Sequence, residues 1–169
     1  MNNGDGLRVV LWLSGCNHRC KGCQNPQTWD VNSGILFDEK AEEELFRELS
    51  KNYISGLTLT GGDPLHENNL DGVLKIINKI RLLSPDKTIW LYSGYEYKYI
   101  FCDESSLISK KRYDNYKRRK IIELVDVFVD GRYKKELRDI TLKWRGSSNQ
   151  KVIDMQKTLK QNEKILYCD

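Results

Sequence analysis

Short apolar segments alternate with amphipathic segments along most of this chain. Four segments rich in β-branched and aromatic residues are predicted strands: residues 7–13, 57–60, 89–92 and 125–129. Apolar residues recur at helical spacing after Asp38 and after Leu70, and the charged segment 104–124 is also a predicted helix. Two weaker strands are predicted over 151–153 and 165–168. This alternation indicates an α/β fold with a parallel sheet and crossover helices.

The predicted strands share a chemical feature at their carboxyl ends. Each of them is followed by small or polar residues: Ser14-Gly15-Cys16, Thr60-Gly61-Gly62-Asp63, Ser93-Gly94 and Asp130-Gly131. In parallel α/β folds the carboxyl ends of the strands lie along one edge, where ligands bind. The sequence therefore predicts one site built from four loops.

Composition excludes several classes of protein. The chain has 169 residues, of which 39% are hydrophobic and 31% charged, and this suits one folded domain better than a disordered or multidomain chain. The longest apolar run, residues 9–13, is far shorter than the roughly 20 residues that a membrane span needs. No apolar leader opens the sequence, so we expect a cytoplasmic protein without a membrane partner.

Positive charge is concentrated in one stretch. Residues 110–145 contain 13 lysines and arginines against 6 acidic residues, a net charge of +7, whereas the whole chain carries +4. Such a stretch could bind an acidic partner or nucleic acid, but a solvated helix face is the favoured interpretation. Tyr113 and Tyr116 within the basic run are only a weak signal for nucleic-acid binding.

The five cysteines do not suit a disulfide framework, because their number is odd and the predicted compartment is reducing. Cys16, Cys20 and Cys23 form a C-x3-C-x2-C pattern, while Cys102 and Cys168 are isolated and are expected to be ordinary apolar residues. Thiolates bind zinc or iron–sulfur clusters.

The ligand count distinguishes these two metal centres. A structural zinc site needs four ligands, and neither His18 nor His66 has suitable spacing to complete one. A [4Fe-4S] cluster with three thiolates leaves one iron open to an amine and a carboxylate of a substrate. The open cluster is therefore the favoured interpretation, with structural zinc as the alternative.

The cysteine loop resembles that of the radical S-adenosylmethionine (SAM) enzymes. Residues 14–26, Ser-Gly-Cys-Asn-His-Arg-Cys-Lys-Gly-Cys-Gln-Asn-Pro, resemble more narrowly the anaerobic ribonucleoside-triphosphate reductase-activating proteins. Further matching segments lie at residues 28–34, 60–65, 129–132 and 144–150, so that the resemblance runs from about Arg8 to Ile153. The chain departs from that family in a shorter N-terminal lead and in an enlarged basic insertion over about 97–120.

The resemblance implies a fold and an activity. The fold would be a partial, incomplete parallel β/α barrel of the radical SAM type, a single domain over residues 1–169 with its cluster loop at 14–26. The activity would be reductive cleavage of SAM at a [4Fe-4S] cluster, which forms a glycyl radical on the large subunit of an anaerobic ribonucleoside-triphosphate reductase. A reducing electron donor such as flavodoxin is implied, and direct nucleic-acid binding is not expected.

The resemblance also implies roles for particular residues. Cys16, Cys20 and Cys23 would be the metal ligands and catalytic residues. Residues expected to contact the cofactor are Gly22, Cys23, Gln24, Gly61, Gly62, Asp63, Ser93 and Asp130. Asp63 could instead only fix its loop. Three residues, Arg145, Asn149 and Gln150, would either bind the polypeptide substrate or fix the edge of the barrel.

Two other functions remain open at this point. One is activation of a different glycyl radical enzyme, of the formate-lyase type, which a longer chain or an extra ferredoxin-like cysteine insertion would favour. The other is a non-catalytic module that binds zinc or transfers electrons. Metal content and a SAM-cleavage assay would separate the second from the first.

Overall fold

A computed structural model of the protein describes residues 3–101 and 109–168. Strands and helices alternate along the chain as predicted for an α/β fold. The elements are β1 (Arg8–Leu13), α1 (Glu39–Leu49), β2 (Gly56–Gly61), α2 (Leu70–Leu83), β3 (Thr88–Tyr92), α3 (Tyr97–Ile100), α4 (Ser109–Leu124), β4 (Val127–Asp130), β5 (Lys151–Asp154) and α5 (Met155–Gln161). Short 3-10 turns lie at Pro26–Thr28 and Lys135–Leu137.

The five strands form one sheet in the order β1-β2-β3-β4-β5. The first four are parallel, which confirms the predicted parallel sheet, and each lies beside the strand that precedes it in the sequence. β5 runs antiparallel to β4, with Val129 opposite Val152. The sheet is open, with β1 and β5 at its edges, and a barrel of the radical SAM type is not confirmed.

Local chemistry explains where the helices begin and end. Asp38 caps α1, because its carboxylate accepts a hydrogen bond of 3.0 Å from the backbone N–H of Ala41. α2 ends just before Ser84 and Pro85, as the sequence indicates. The sequence interpretation missed α3 and α5; Asp154 caps α5 directly after β5.

The strand predicted over 165–168 is absent, and in its place a single antiparallel bridge joins Leu166 to Ile153. The start predicted for the charged helix at residue 104 lies outside the described residues, and so does Cys102.

Alternate residues of the strands face two different apolar clusters. The larger cluster lies between the sheet and α1, α2 and α4, and it includes Leu57, Leu59 and Phe128. The smaller cluster, on the opposite face, consists of Trp90, Val127, Val129 and Val152, with Tyr92, Trp144 and Cys168 packed against it. Packing of Cys168 there is the role predicted for an ordinary apolar residue. Helices cover only one face of the sheet, which leaves the other face to loops.

Part of the basic stretch is neutralised on α4. Lys117 forms an ion pair of 2.6 Å with Asp71, and Lys120 forms one of 3.0 Å with Glu123. Their ammonium groups also lie over the rings of Tyr113 and Tyr116. These contacts support the interpretation of this part as a solvated helix face. No helix among residues 3–101 and 109–168 is both long and apolar enough to cross a bilayer.

Candidate functional site

A cleft of about 470 Å³ opens where β1, β2, β3 and β4 reach their carboxyl ends. It brings together residues that are far apart in the sequence. Its lining includes eight of the predicted site residues and Gly131: Cys16, Cys20, Cys23, Gln24, Gly61, Gly62, Asp63, Ser93 and Gly131 are all part of the wall. The predicted convergence of four strand-end loops on one site is therefore observed.

Backbone hydrogen bonds fix the cysteine loop to its surroundings. The N–H of Gly15 donates to Thr28 O at 2.8 Å, and the N–H of Cys16 donates to Trp29 O at 3.1 Å. The two ends of the loop are therefore hydrogen-bonded to each other. A tight turn, in which the N–H of Cys23 donates to Cys20 O at 3.1 Å, brings the backbones of the second and third cysteines together.

All three thiols are free and only partly exposed. Burial raises the pKa of the Cys16 thiol, and the charge of Asp63 acts in the same direction. Burial also raises the pKa of Cys20, although the backbone N–H of Tyr133 opposes that effect. Metal binding requires the thiolate form, so loading of this site must release protons.

Gly61 and Gly62 allow the cysteine loop to lie directly on β2. A Cβ atom on Gly62 would come within 2.6 Å of Gly15 O and 2.9 Å of Thr28 O. One on Gly61 would come within 2.6 Å of Leu13 O. At both glycines the chain's own backbone approaches closely, and both also line the cleft.

Asp63 connects three loops of the site. Its side chain is 1% exposed, and its carboxylate accepts hydrogen bonds from Ser93 Oγ at 2.8 Å and from the N–H of Gly94 at 3.0 Å. It also accepts a hydrogen bond from the N–H of Leu65 at 2.8 Å and faces His18 Nε2 at 2.7 Å. Asp63 therefore fixes its loop, which is the role that the sequence left open for it. Ser93 belongs to the same hydrogen-bond network.

Asp130 and Gly22, two of the predicted cofactor contacts, do not line the cleft. Asp130 is buried and does not line the cleft; its carboxylate accepts from the N–H groups of Tyr97 at 2.9 Å and Lys151 at 3.1 Å. Burial raises the pKa of Asp130, and these two hydrogen bonds oppose that rise. Gly22 is exposed, outside the lining, and its Cα faces the side chain of Lys135.

The segment 131–150 forms the far wall of the cleft and is fixed by its own amide side chains. Gln150 Oε1 accepts from the N–H of Gly146 at 3.0 Å, and its Nε2 donates to Gly131 O at 2.9 Å. Asn149 Nδ2 donates to Arg132 O at 2.9 Å. Arg145 lines the cleft, and its buried Nε has no hydrogen-bond partner within the described part of the chain. Gln150 and Asn149 thus fix this edge, while Arg145 keeps a donor unused.

Sequence reasoning missed several residues of the cleft. Trp12, Tyr92 and Trp144 line it, with Trp12 50% exposed although it belongs to an apolar strand. His18 also lines it, whereas the sequence suggested it only as a zinc ligand. The sequence held a signal that Trp12 faces away from the larger apolar cluster. Residues at every second position of a strand share a face, and Trp12 lies between Leu11 and Leu13, which pack against that cluster.

The donors of the cleft fit an iron–sulfur cluster. Three thiols from one loop line the same cleft. Thiolates are the ligands that such clusters use. Among the described residues, no three His, Cys, Asp or Glu side chains converge on a point that could hold a single metal ion.

Comparisons with known proteins agree with this site. Residues 2–153 match the family model described as a 4Fe-4S single cluster domain. The chain is 40% identical to an anaerobic ribonucleoside-triphosphate reductase-activating protein of Enterobacteria phage T4 over 150 residues, which cover 89% of this chain and 85% of that protein.

Bacterial proteins of the same name are equally similar. Identity is 40% to the protein of Escherichia coli (strain K12), covering 89% of this chain and 90% of that protein, and 38% to the protein of Pasteurella multocida (strain Pm70), covering 88% and 87%. The chain belongs to the anaerobic ribonucleoside-triphosphate reductase-activating protein family. The family resemblance drawn from the sequence is confirmed. No solved structure matched the chain.

Proposed function

We propose that this protein activates an anaerobic ribonucleoside-triphosphate reductase by reductive cleavage of SAM, leaving a glycyl radical on the large subunit of the reductase. The observation that carries the proposal is the placement of Cys16, Cys20 and Cys23 in one cleft with the strand-end loops of β2 and β3. The names of the relatives support this target, and the matching family model supports a 4Fe-4S cluster.

Cys16, Cys20 and Cys23 would hold three irons of a [4Fe-4S] cluster as thiolates. A cluster of this kind, with SAM bound at its fourth iron, supplies the one-electron cleavage that yields methionine and a 5′-deoxyadenosyl radical. The protein contributes position and shielding. Gly61 and Gly62 keep the cysteine loop on β2, and Asp63 joins that loop to Ser93 and Gly94.

The remaining cofactor contacts are proposals as well. Gln24 lines the cleft beside Cys23, and the guanidinium of Arg145, which also lines it, is suited to a carboxylate such as that of the methionine part of SAM. Gly22 and Asp130 stand outside the lining, so they would act through the loops they belong to.

We propose that the four parallel strands, which follow one another in sequence order, are an arc of a radical SAM barrel and that the whole chain is one such domain.

An open sheet suits a polypeptide substrate. The helices cover one face only, and the cleft opens at the carboxyl ends of the strands, so an extended segment of a large partner can reach the cysteines. A cytoplasmic location is part of the proposal, because free thiols and an iron–sulfur site require a reducing compartment.

The experiment has two stages. The protein is reconstituted with iron and sulfide under anaerobic conditions, reduced, and measured by electron paramagnetic resonance with and without SAM. A [4Fe-4S]+ signal whose shape changes with SAM supports an open iron occupied by the cofactor. Addition of the reductase large subunit should then yield a glycyl radical signal. Bound zinc, or a cluster indifferent to SAM, would refute the mechanism; a radical formed only on a formate-lyase type partner would reassign the target.

A further inference from the structure

Two arginines of α4 belong to the basic stretch of the sequence but point into the protein. Arg118 and Arg119 are both partly buried, whereas their neighbour Lys120 is exposed. Each of the two guanidinium groups donates to a backbone carbonyl and lies over an aromatic ring. They differ in what they contact: Arg119 meets the end of α3, and Arg118 meets the loops beside the cysteines.

Arg118 joins two segments that follow neighbouring strands. Its Nε donates to Leu65 O at 2.9 Å, in the turn after β2, and its Nη2 donates to the hydroxyl of Tyr95 at 3.2 Å, in the loop after β3. The guanidinium also lies 4.4 Å from the centroid of the Tyr95 ring. One planar side chain therefore fixes both segments from the helical side.

Both of these segments contact His18 of the cysteine loop. The ring of Tyr95 meets the imidazole edge-on, with ring centroids 4.8 Å apart. In the turn after β2, the carboxylate of Asp63 lies 2.7 Å from His18 Nε2 and accepts a hydrogen bond of 2.8 Å from the N–H of Leu65. The N–H of Tyr95 donates to Ser93 Oγ at 3.1 Å, and Ser93 in turn donates to Asp63. The imidazole is thus enclosed by the two segments that Arg118 holds.

The position of His18 bears directly on the cysteines. It lies two residues from Cys16 and two from Cys20, and its side chain is only 9% exposed. The next residue, Arg19, has a φ of 47°, in the left-handed region that residues other than glycine seldom adopt. The loop does not prefer this conformation by itself, so its shape depends on the contacts around the imidazole.

We propose that Arg118 is a positioning residue for the iron–sulfur site: it fixes the two segments that enclose His18 and so keeps the cysteine loop in place. The inference rests on the proposed function, because it takes Cys16 and Cys20 as cluster ligands. Arg118 does not line the cleft and acts through other residues. Residues that orient metal ligands without contacting the metal commonly change metal affinity by about 10–100-fold when they are removed.

The test compares Arg118→Met with Arg119→Met in the full chain. The two variants lose the same kinds of contact, because Arg119 Nη2 donates to Ile100 O at 3.3 Å and its guanidinium lies 5.5 Å from the centroid of the Phe101 ring. Methionine keeps an unbranched apolar stem without the donors or the charge. Arg118→Met alone removes the contacts with Leu65 and Tyr95.

The first measurement uses the metal-free protein and nuclear magnetic resonance. The chain contains two histidines, so labelling histidine with carbon-13 leaves two ring signals to assign. We expect a nuclear Overhauser effect between the rings of His18 and Tyr95 in the wild type, because their centroids lie 4.8 Å apart. Arg118→Met should lose this effect, and Arg119→Met should keep it.

The second measurement follows the loss of iron to a chelator after anaerobic reconstitution. We expect Arg118→Met to lose iron at least about tenfold faster than the wild type, and Arg119→Met to stay within about twofold of it. The urea midpoints of the two metal-free variants should fall by similar amounts, because each loses a carbonyl hydrogen bond and a ring contact. Arg118→Lys keeps the charge but not the forked donors, so its rate should stay closer to that of Arg118→Met than to that of the wild type.

Three results would overturn the inference. One is a wild-type contact between His18 and Tyr95 in Arg118→Met, and another is equal iron loss from Arg118→Met and Arg119→Met. The third is full recovery in Arg118→Lys, which would show that the charge alone matters. If the wild type took up no iron, the proposed function would fall, while the comparison of metal-free variants would still test whether Arg118 positions the loop.

Discussion

The imidazole of His18 and the carboxylate of Asp63 lie 2.7 Å apart, and both side chains are almost fully buried. His18 belongs to the cysteine loop, and Asp63 follows β2. The ring of Tyr95 meets the imidazole edge-on at 4.8 Å, and the Arg118 guanidinium of α4 covers Tyr95 at 4.4 Å. The loop that carries the cysteines is thereby connected to the helical layer.

We expect Asp63→Ala to destabilise the metal-free protein by about 3 kcal/mol, because His18, Ser93 and the N–H of Gly94 would lose their acceptor inside the protein. Urea denaturation measures the loss. Asp86→Ala, at an exposed aspartate, is the control and should change stability by less than about 0.5 kcal/mol. An Asp63→Ala protein of wild-type stability but weak SAM affinity would instead make Asp63 a cofactor contact alone.

Gly94 supports the same arrangement sterically. A Cβ there would lie 2.3 Å from His18 Cδ2, so Gly94→Ala must displace the imidazole and with it the cysteine loop. We expect lower iron retention after reconstitution and a loss of stability of about 1–3 kcal/mol. Both are measured on the same preparation, as iron per protein and as a urea midpoint.

Gly72→Ala is the matched substitution for Gly94→Ala. Gly72 lies inside α2 with no atom near the position of an added Cβ, so alanine should stabilise the protein by about 0.5–1 kcal/mol through its higher helix propensity. Unchanged iron retention in Gly72→Ala would show that the defect of Gly94→Ala comes from its contact with His18. A similar defect in both would contradict this explanation.

Cys20→Ala should abolish cluster retention and SAM cleavage while most of the fold persists, since the thiol is partly exposed and lies in a loop outside the apolar core. Iron and sulfide analysis, with circular dichroism for the fold, checks this. Cys168→Ala is the control, because Cys168 packs against the small apolar cluster far along the chain from the cysteine loop and should keep its iron. Full iron content in Cys20→Ala would refute the ligand set.

Gln150→Ala should loosen the wall formed by segment 131–150. Its side chain accepts from the N–H groups of Gly146 and Ser147 and donates to Gly131 O, and loss of these bonds costs about 1–3 kcal/mol. Trypsin should then cleave faster after the lysines of this segment, as followed by mass spectrometry. Gln161→Ala, at an exposed position of α5, should not change the cleavage rate. Equal rates in both variants would show that the wall is held by other contacts.

The sequence was most informative where local chemistry acts alone. The apolar runs of β1 to β4 gave those strands to within about two residues, and Asp38 marked the start of α1. The strand predicted at 165–168 is wrong because only Leu166 pairs with the sheet. α5 was missed because a helix of seven residues leaves too short a periodic pattern.

The sequence by itself determined the α/β class, the C-x3-C-x2-C cysteine pattern and the family, because each is written in residue types and short spacings. Only the tertiary structure decided that Asp63 faces His18, that Asp130 turns away from the cleft, and that the side chain of Lys135 lies against Gly22 of the cysteine loop. Those relationships join residues from 21 to more than 100 positions apart. They depend on how strands and loops stack in space, which no local pattern encodes.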